Sequence, residues 1–274
     1  MRALPFLALL SLAPAATAAA QAIVVPARCQ GACPAAERPL GALTLDTVTV
    51  WASLDGRGAV TYVSHAIHNH TPAEVDGALF FPLPRGAVVE RVMVYEAYGT
   101  LDTYNEWSGP AESRRMVDEI VREQPRSALR GFAGMEVVHV RVPAIPAGGT
   151  RKVQIGYREA PRAQGAAQVY RYPLAMVGAG PPVAEFTLRL TVKTAAGFVD
   201  LRSPSHAVEV RWGTEIGRCP PQARCGFTSV PSRRVKEVRM ENAAAVRTRD
   251  FVLVYTPAVG PYRPEAAADT APAP

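Results

Sequence analysis

The strongest constraint on this chain is the period of its apolar side chains, which is two along most of its length. Residues 43–54 (LTLDTVTVWASL) alternate in this way and are rich in β-branched side chains. Asp55-Gly56-Arg57-Gly58 follows, and residues 59–68 (AVTYVSHAIH) alternate again. A period of two places successive side chains on opposite faces of a strand, so the pair predicts a β-hairpin with a loop of about four residues. Residues 76–83 (DGALFFPL) predict a third strand stopped by Pro82 and Pro84, and residues 87–98 a fourth. Two more are expected at 136–142 and 151–158, on either side of a turn at Pro146-Ala147-Gly148-Gly149. The 25 prolines and 21 glycines fall largely between these apolar runs, as turn punctuation does in a β-rich chain.

One stretch breaks the pattern. Ser108 and Gly109 offer cap positions, Pro110 suits a first helical turn, and Glu112 suits the positive end of a helix. Met116, Val117, Ile120 and Val121 then recur at helical spacing, and Gln124-Pro125 ends the run. The second half returns to strands, at 185–193, 207–212, 235–240 and 250–255. Strands with short connections and a single helix predict an all-β fold: a mainly antiparallel β-sandwich with one inserted α-helix.

The termini set the compartment. Residues 1–20 combine Arg2, an apolar run Ala3–Leu12 and a small-residue tail containing Ala16-Thr17-Ala18 and Ala18-Ala19-Ala20. This is the pattern of a cleaved signal peptide, and the apolar run is about half of what a bilayer span needs. Export to the periplasm or medium is therefore expected, with no transmembrane segment in the mature chain. The expected organisation is an N-terminal segment 21–41, β units at 42–160 and 165–257 sharing an interface, and a disordered Pro/Ala-rich tail at 258–274. In an oxidising compartment Cys29, Cys33, Cys219 and Cys225 are expected to form disulfides, for which three pairings exist. A four-thiolate metal site is disfavoured, because C-x3-C and C-x5-C do not both supply metal-binding spacing.

Charge excludes little. The net charge is +6, and Lys152, Lys193 and Lys236 are the only lysines among 30 basic residues, which reads as a compositional habit. The densest basic run, residues 232–239, puts charge on both faces of a strand and carries no interleaved aromatics. A nucleic-acid partner is not expected from it, and a solvated strand edge is the simplest reading.

Several landmarks in residues 67–160 together resemble one family. Ile67-His68-Asn69 leads to Gly77-Ala78-Leu79-Phe80-Phe81-Pro82-Leu83-Pro84, and then Ala87-Val88-Val89-Glu90-Arg91-Val92. The helix at Glu112–Glu123 precedes Pro125-Arg126-Ser127-Ala128-Leu129. Val140-Arg141-Val142-Pro143-Ala144-Ile145-Pro146-Ala147-Gly148-Gly149 and Val153-Gln154-Ile155-Gly156-Tyr157 close the series. In this order they resemble the bacterial VIT (vault protein/inter-alpha-trypsin) domain over about 120 residues, 42–160. Met116 stands near where the family commonly has Tyr, and Ala144 is an extra residue between Pro143 and Ile145. Family members usually run on into a von Willebrand factor A domain with a metal-binding Asp-x-Ser-x-Ser loop, and no such motif occurs here. The resemblance implies non-catalytic protein association, with no cofactor and an unidentified protein partner in the cell envelope or outside the cell.

No G-x-S-x-G, H-E-x-x-H, P-loop or G-x-G-x-x-G occurs, so no enzyme is expected, and a hydrolase of unrecognised type ranks third. The second-ranked function is metal binding by a cluster of His65, His68 and His70. The last two share a strand face, while His65 points the other way and further ligands would be needed. The sequon Asn69-His70-Thr71 is expected to be idle. Arg114 with Asp118 and Arg115 with Glu119 sit four apart, as an exposed ion-pair set would. The expected contact surface is the 104–130 segment, carrying Trp107 in a loop and Arg114, Arg115, Asp118, Glu119 and Arg122 on the helix. Trp51 and Trp212 are expected in the core. Thiol titration of denatured protein from its native compartment should find no free cysteine. Titratable thiols would sink the disulfide expectation.

Overall fold

The alternating runs fold as strands that close over one large core. The structure, a computed structural model, describes residues 22–26, 42–95, 101–102, 106–123, 128–160, 162–174, 183–218, 227–241 and 249–260. The first strands are β1 (Ile23–Pro26), β2 (Leu43–Asp55), β3 (Gly58–Asn69), β4 (Val75–Pro82), β5 (Val88–Tyr95), β6 (Leu101–Asp102) and β7 (Trp107–Ser108). Helix α1 (Pro110–Glu123) and a 3-10 turn at Ala128–Phe132 follow. Next come β8 (Val137–Ile145), β9 (Thr150–Glu159), β10 (Arg162–Gln164), β11 (Ala167–Tyr172) and β12 (Glu185–Lys193). The last are β13 (Phe198–Arg202), β14 (Glu209–Arg218), β15 (Phe227–Glu241) and β16 (Phe251–Pro257). The fold is all-β with one α-helix.

Three sheets result. The largest has eight strands in the order β14-β15-β12-β2-β3-β9-β5-β6. Two four-stranded sheets, β1-β4-β8-β7 and β10-β11-β16-β13, contribute to the same core. The predicted hairpin is the β2–β3 pair, with Asp55 opposite Gly58. All pairs among the described residues are antiparallel except one: β2 lies parallel to β12, from Thr47 opposite Glu185 to Leu54 opposite Val192. This ladder carries a single sheet through both the earlier and the later stretch of chain.

Alternation decides what is buried. On β2 the residues Val48, Val50, Ala52 and Leu54 face inward, and Phe186, Leu188, Leu190 and Val192 do so on β12. The small sheets answer with Leu79, Phe81, Val140 and Val142 on one side and Tyr170, Tyr172, Phe251 and Leu253 on the other. His65 meets Phe81 edge-on at 5.6 Å between ring centroids, and Tyr172 lies 6.1 Å from Phe186. At the energies typical of buried apolar surface, burial on this scale is the main stabilising contribution.

Several elements differ from the sequence expectation. Strands β1, β10, β11 and β13 were not expected, because each is short or lacks clean alternation. Strand β8 runs on to Ile145 through a bulge, where the register against β4 shifts between Val75 and Gly77. Ala144, the residue that departs from the VIT pattern, sits in this bulge with φ of 49°, and its N–H donates to Asp76 Oδ1 at 2.9 Å. The basic run also stands elsewhere than expected. Strand β15 lies between β14 and β12, so it is an interior strand and not a solvated edge.

A carboxylate is enclosed at one end of the core. Glu159 is 5% exposed, close to Tyr157 and Tyr170, with Arg162 at 3.4 Å. Burial raises its pKa to about 7, against the opposing pull of Arg162. From about pH 4.5 to pH 7 the folded protein therefore holds a proton that the unfolded chain releases. Stability from this group should fall as pH rises through that window and level off above it. The neutral variant Glu159→Gln should lose most of this slope and exceed wild type in thermal midpoint at pH 8. Parallel pH profiles for the two proteins would refute the assignment.

Candidate functional site

Helix α1, with the 3-10 turn Ala128–Phe132, adds a third layer, and its amino terminus is tied to a sheet edge. Strand β7 pairs with β8, Trp107 opposite Val140 and Ser108 opposite His139. Beyond that short strand the β8 ladder is continued by a side chain. The buried Ser113 hydroxyl accepts from the His139 N–H at 2.9 Å and donates to the Ser108 carbonyl at 2.7 Å. The first helical bond runs from Ser113 N–H to the Gly109 carbonyl, consistent with Gly109 as the cap.

The inward face of α1 behaves as its spacing predicts, except that Met116 is half-buried and does not join the cluster. Val117 is fully buried, with Phe80, Val137, Leu129 and Phe132 in the same cluster, and Ile120 and Val121 pack at its margin. This cluster is separate from the main core and lies on the outer side of the β4–β8 pair, where Ile23 and Ala78 join it. His139 stands beside Phe80, 5.0 Å between rings, and burial lowers its pKa although Glu112 pulls upward.

The outward face carries Arg114, Arg115, Asp118, Glu119 and Arg122, all exposed. Here two expectations are corrected. Among the described residues no ion pair joins Arg114 to Asp118 or Arg115 to Glu119. Arg114 instead reaches the Met135 carbonyl at 3.4 Å. Exposed pairs gain only tenths of a kcal/mol, about what ordering two long side chains costs. Trp107 is in a strand and not a loop, and it is half-buried against the main core, because pairing with Val140 turns its ring toward the sandwich.

The histidines do not converge. His65 is 1% exposed inside the sandwich, and burial drives its pKa down to about 3 against a backbone hydrogen bond involving Val153. His68 and His70 meet edge-to-face outside, 4.4 Å between ring centroids. His68 Nδ1 lies 3.1 Å from Thr150 Oγ1, and His70 Nε2 lies 2.8 Å from Thr44 Oγ1. The expected His65, His68, His70 cluster is thus split by strand parity, and no group of three or more metal-ligating side chains comes together among the described residues. Asn69 of the sequon is fully buried. Its Nδ2 donates to the carbonyls of Ala73, Ile145 and Pro146 at 2.8 to 3.1 Å, so the atom that would carry a glycan is occupied. Cys29, Cys33, Cys219 and Cys225, residues 1–20, where a signal peptide was expected, and the chain beyond Gly260 lie outside the described residues.

Two tryptophans expected in the core are exposed: Trp51 by 36% and Trp212 by 53%. Trp212 lies at the β14 edge with Lys236 Nζ 4.7 Å from its ring centroid and Phe198 beside it. Trp51 points to the uncovered face of the large sheet, opposite Val50 and Ala52 in the pleat. Parity in residues 48–54 was the signal that placed it, since the inward positions there are the even ones, while a bulge between Leu45 and Thr47 lets Leu43 and Leu45 face inward too.

No family model matches the chain, and no curated protein matches it. Among solved structures, a Legionella pneumophila protein described as nutrient binding aligns at 11% identity and a TM-score of 0.46, over 87% of this chain and 72% of that one. An M1 zinc metallopeptidase of Deinococcus radiodurans aligns at 12% identity and a TM-score of 0.41, over 78% of this chain. Legionella pneumophila aminopeptidase A aligns at 9% identity and a TM-score of 0.40, over 80%. The chain spans 42% and 22% of those two peptidases' lengths. Among the described residues no helix is long and apolar enough to cross a membrane.

The anchoring of α1 is open to direct measurement. Ser113→Ala leaves the buried His139 N–H without its acceptor and should cost about 1–3 kcal/mol of unfolding free energy. Val117→Ala should cost about 2 kcal/mol, and Arg122→Ala less than about 0.5. Equilibrium denaturation of the three variants checks this order. A neutral Ser113→Ala would mean that the clip does not hold the helix.

Proposed function

We propose that this protein is an exported, non-catalytic docking module of VIT type, and that it meets a protein partner in the cell envelope through the outward face of α1. The observation that carries the reading is the contrast between the helix's two sides. Its inner side is held by Val117 and by the Ser113 clip, so the helix is a rigid platform. Its outer side presents Arg115, Asp118, Glu119 and Arg122 without an ion pair to another described residue. Charges of both signs, carried on an anchored helix and not committed internally, give specificity and orientation to an encounter.

Trp107 serves in this reading as a support and not as an anchor, since its ring is half-buried. In this reading binding does not need divalent ions. A photo-crosslinking residue replacing Glu119, in the full chain expressed in its native host, tests both points. We expect one adduct of defined mass, unaffected by chelator and lost on Arg115→Glu with Arg122→Glu at unchanged thermal midpoint. A probe replacing Arg158, on the opposite face of the molecule, should not give that adduct. No adduct at the helix, or one abolished by chelator, would overturn the reading.

A further inference from the structure

The large sheet has one face in the core and one face that the small sheets leave uncovered. Across that second face the side chains are mostly polar: Thr47, Thr49 and Ser53 on β2, Arg189 and Thr191 on β12, and Glu237 and Arg239 on β15. An aromatic pair interrupts them, because Trp51 stands directly opposite Tyr62 in the β2–β3 ladder. Tyr62 in turn lies over Gly156 of β9, where a Cβ would come within 2.7 Å of its ring. The glycine lets the tyrosine lie down across the sheet. Trp51 is left as one wall of a shallow open groove of about 330 Å³.

The groove continues from Trp51 onto β12 and β15, where its lining carries two arginines and one carboxylate. Arg189 is the direct neighbour of Trp51 in the parallel ladder, is exposed, and makes no ion pair with a described residue. Arg239 lies beyond it, 3.5 Å from Glu237, and the hydroxyls of Ser53 and Thr191 border the same space. The groove is at the small end of the range for ligand sites, about 300–1,000 Å³.

We propose that this groove binds a residue of an acidic glycan, a pyranose bearing a carboxylate of the uronic acid type. The indole face is electron-rich and attracts the slightly positive C–H face of a sugar ring. The Arg189 guanidinium matches a planar carboxylate with two parallel N–H donors. Glu237, Ser53 and Thr191 meet the sugar hydroxyls. A nucleic-acid strand suits the site less well, since Glu237 stands in the wall where successive phosphates would pass. An added peptide strand is also disfavoured, because these strands are interior to the sheet and their backbone groups are already paired. The proposal is independent of α1, which lies on the far side of the small sheets.

Calorimetric titration of the full mature chain with an oligogalacturonate of four residues, beside cellotetraose as the neutral control, tests it. The wild type should prefer the acidic oligomer at least tenfold. Trp51→Ala should weaken binding of the acidic oligomer at least tenfold, with the far-ultraviolet dichroism unchanged. Arg189→Gln should reduce the acidic-over-neutral preference to near one, and Arg171→Gln, on β11 of a small sheet, should change nothing. Three results would overturn the proposal: no heat with oligogalacturonate at millimolar concentration, wild-type binding by both Trp51→Ala and Arg189→Gln, or tighter binding of oligothymidylate than of oligogalacturonate.

Discussion

The parallel ladder between β2 and β12 is the pairing on which the rest of the architecture depends. It joins two strands more than 130 residues apart in sequence, from Thr47 opposite Glu185 to Leu54 opposite Val192, and so fuses the two stretches of chain into one floor of eight strands. Closing so long a loop costs chain entropy that grows only slowly with length. The return is a continuous inner face on which Val48, Val50, Leu188 and Leu190 lie side by side. Both four-stranded sheets rest on that floor. Without the ladder, each small sheet would face only part of a core.

Closure of the sandwich leaves two kinds of surface available for recognition. On one side α1 covers the outside of the β4–β8 pair, and its amino terminus extends the hydrogen bonding of β8 through Ser113. The helix thus shields a sheet edge, a place where unpaired backbone groups invite unwanted pairing. On the other side the large sheet stays open, and its surface is a mosaic of hydroxyls and charges around Trp51 and Tyr62. A rigid β-sandwich holds both surfaces without needing either one for its own core.

Much of the core was legible from alternation, and the places where expectation and structure part have physical causes. Strand 185–193 and the β2–β3 hairpin follow directly from a period of two. The helix begins at Pro110, next to the cap residues that foretell it. Trp51 and Trp212 were assigned to the core by residue type, which is a weaker guide than parity. The basic stretch of β15 looked like an edge because charge discourages edge pairing. Nothing in the local pattern revealed that β14 would lie outside it.

What the amino-acid order determined by itself was local: the positions of the longer alternating strands, the helix and most of its inward face, the hairpin turn, and the opposite parity of His65 and His68. These follow from backbone stereochemistry and from which side chains avoid water, and both act over a few residues. The tertiary structure alone decided which strands became neighbours. Only that choice placed Arg189 beside Trp51, opened a flat glycine beneath Tyr62, enclosed Glu159 and seated Val117 beside Phe80. Pairings between distant segments depend on how the whole apolar surface can be covered at once, and that condition is not written in any one stretch of the chain.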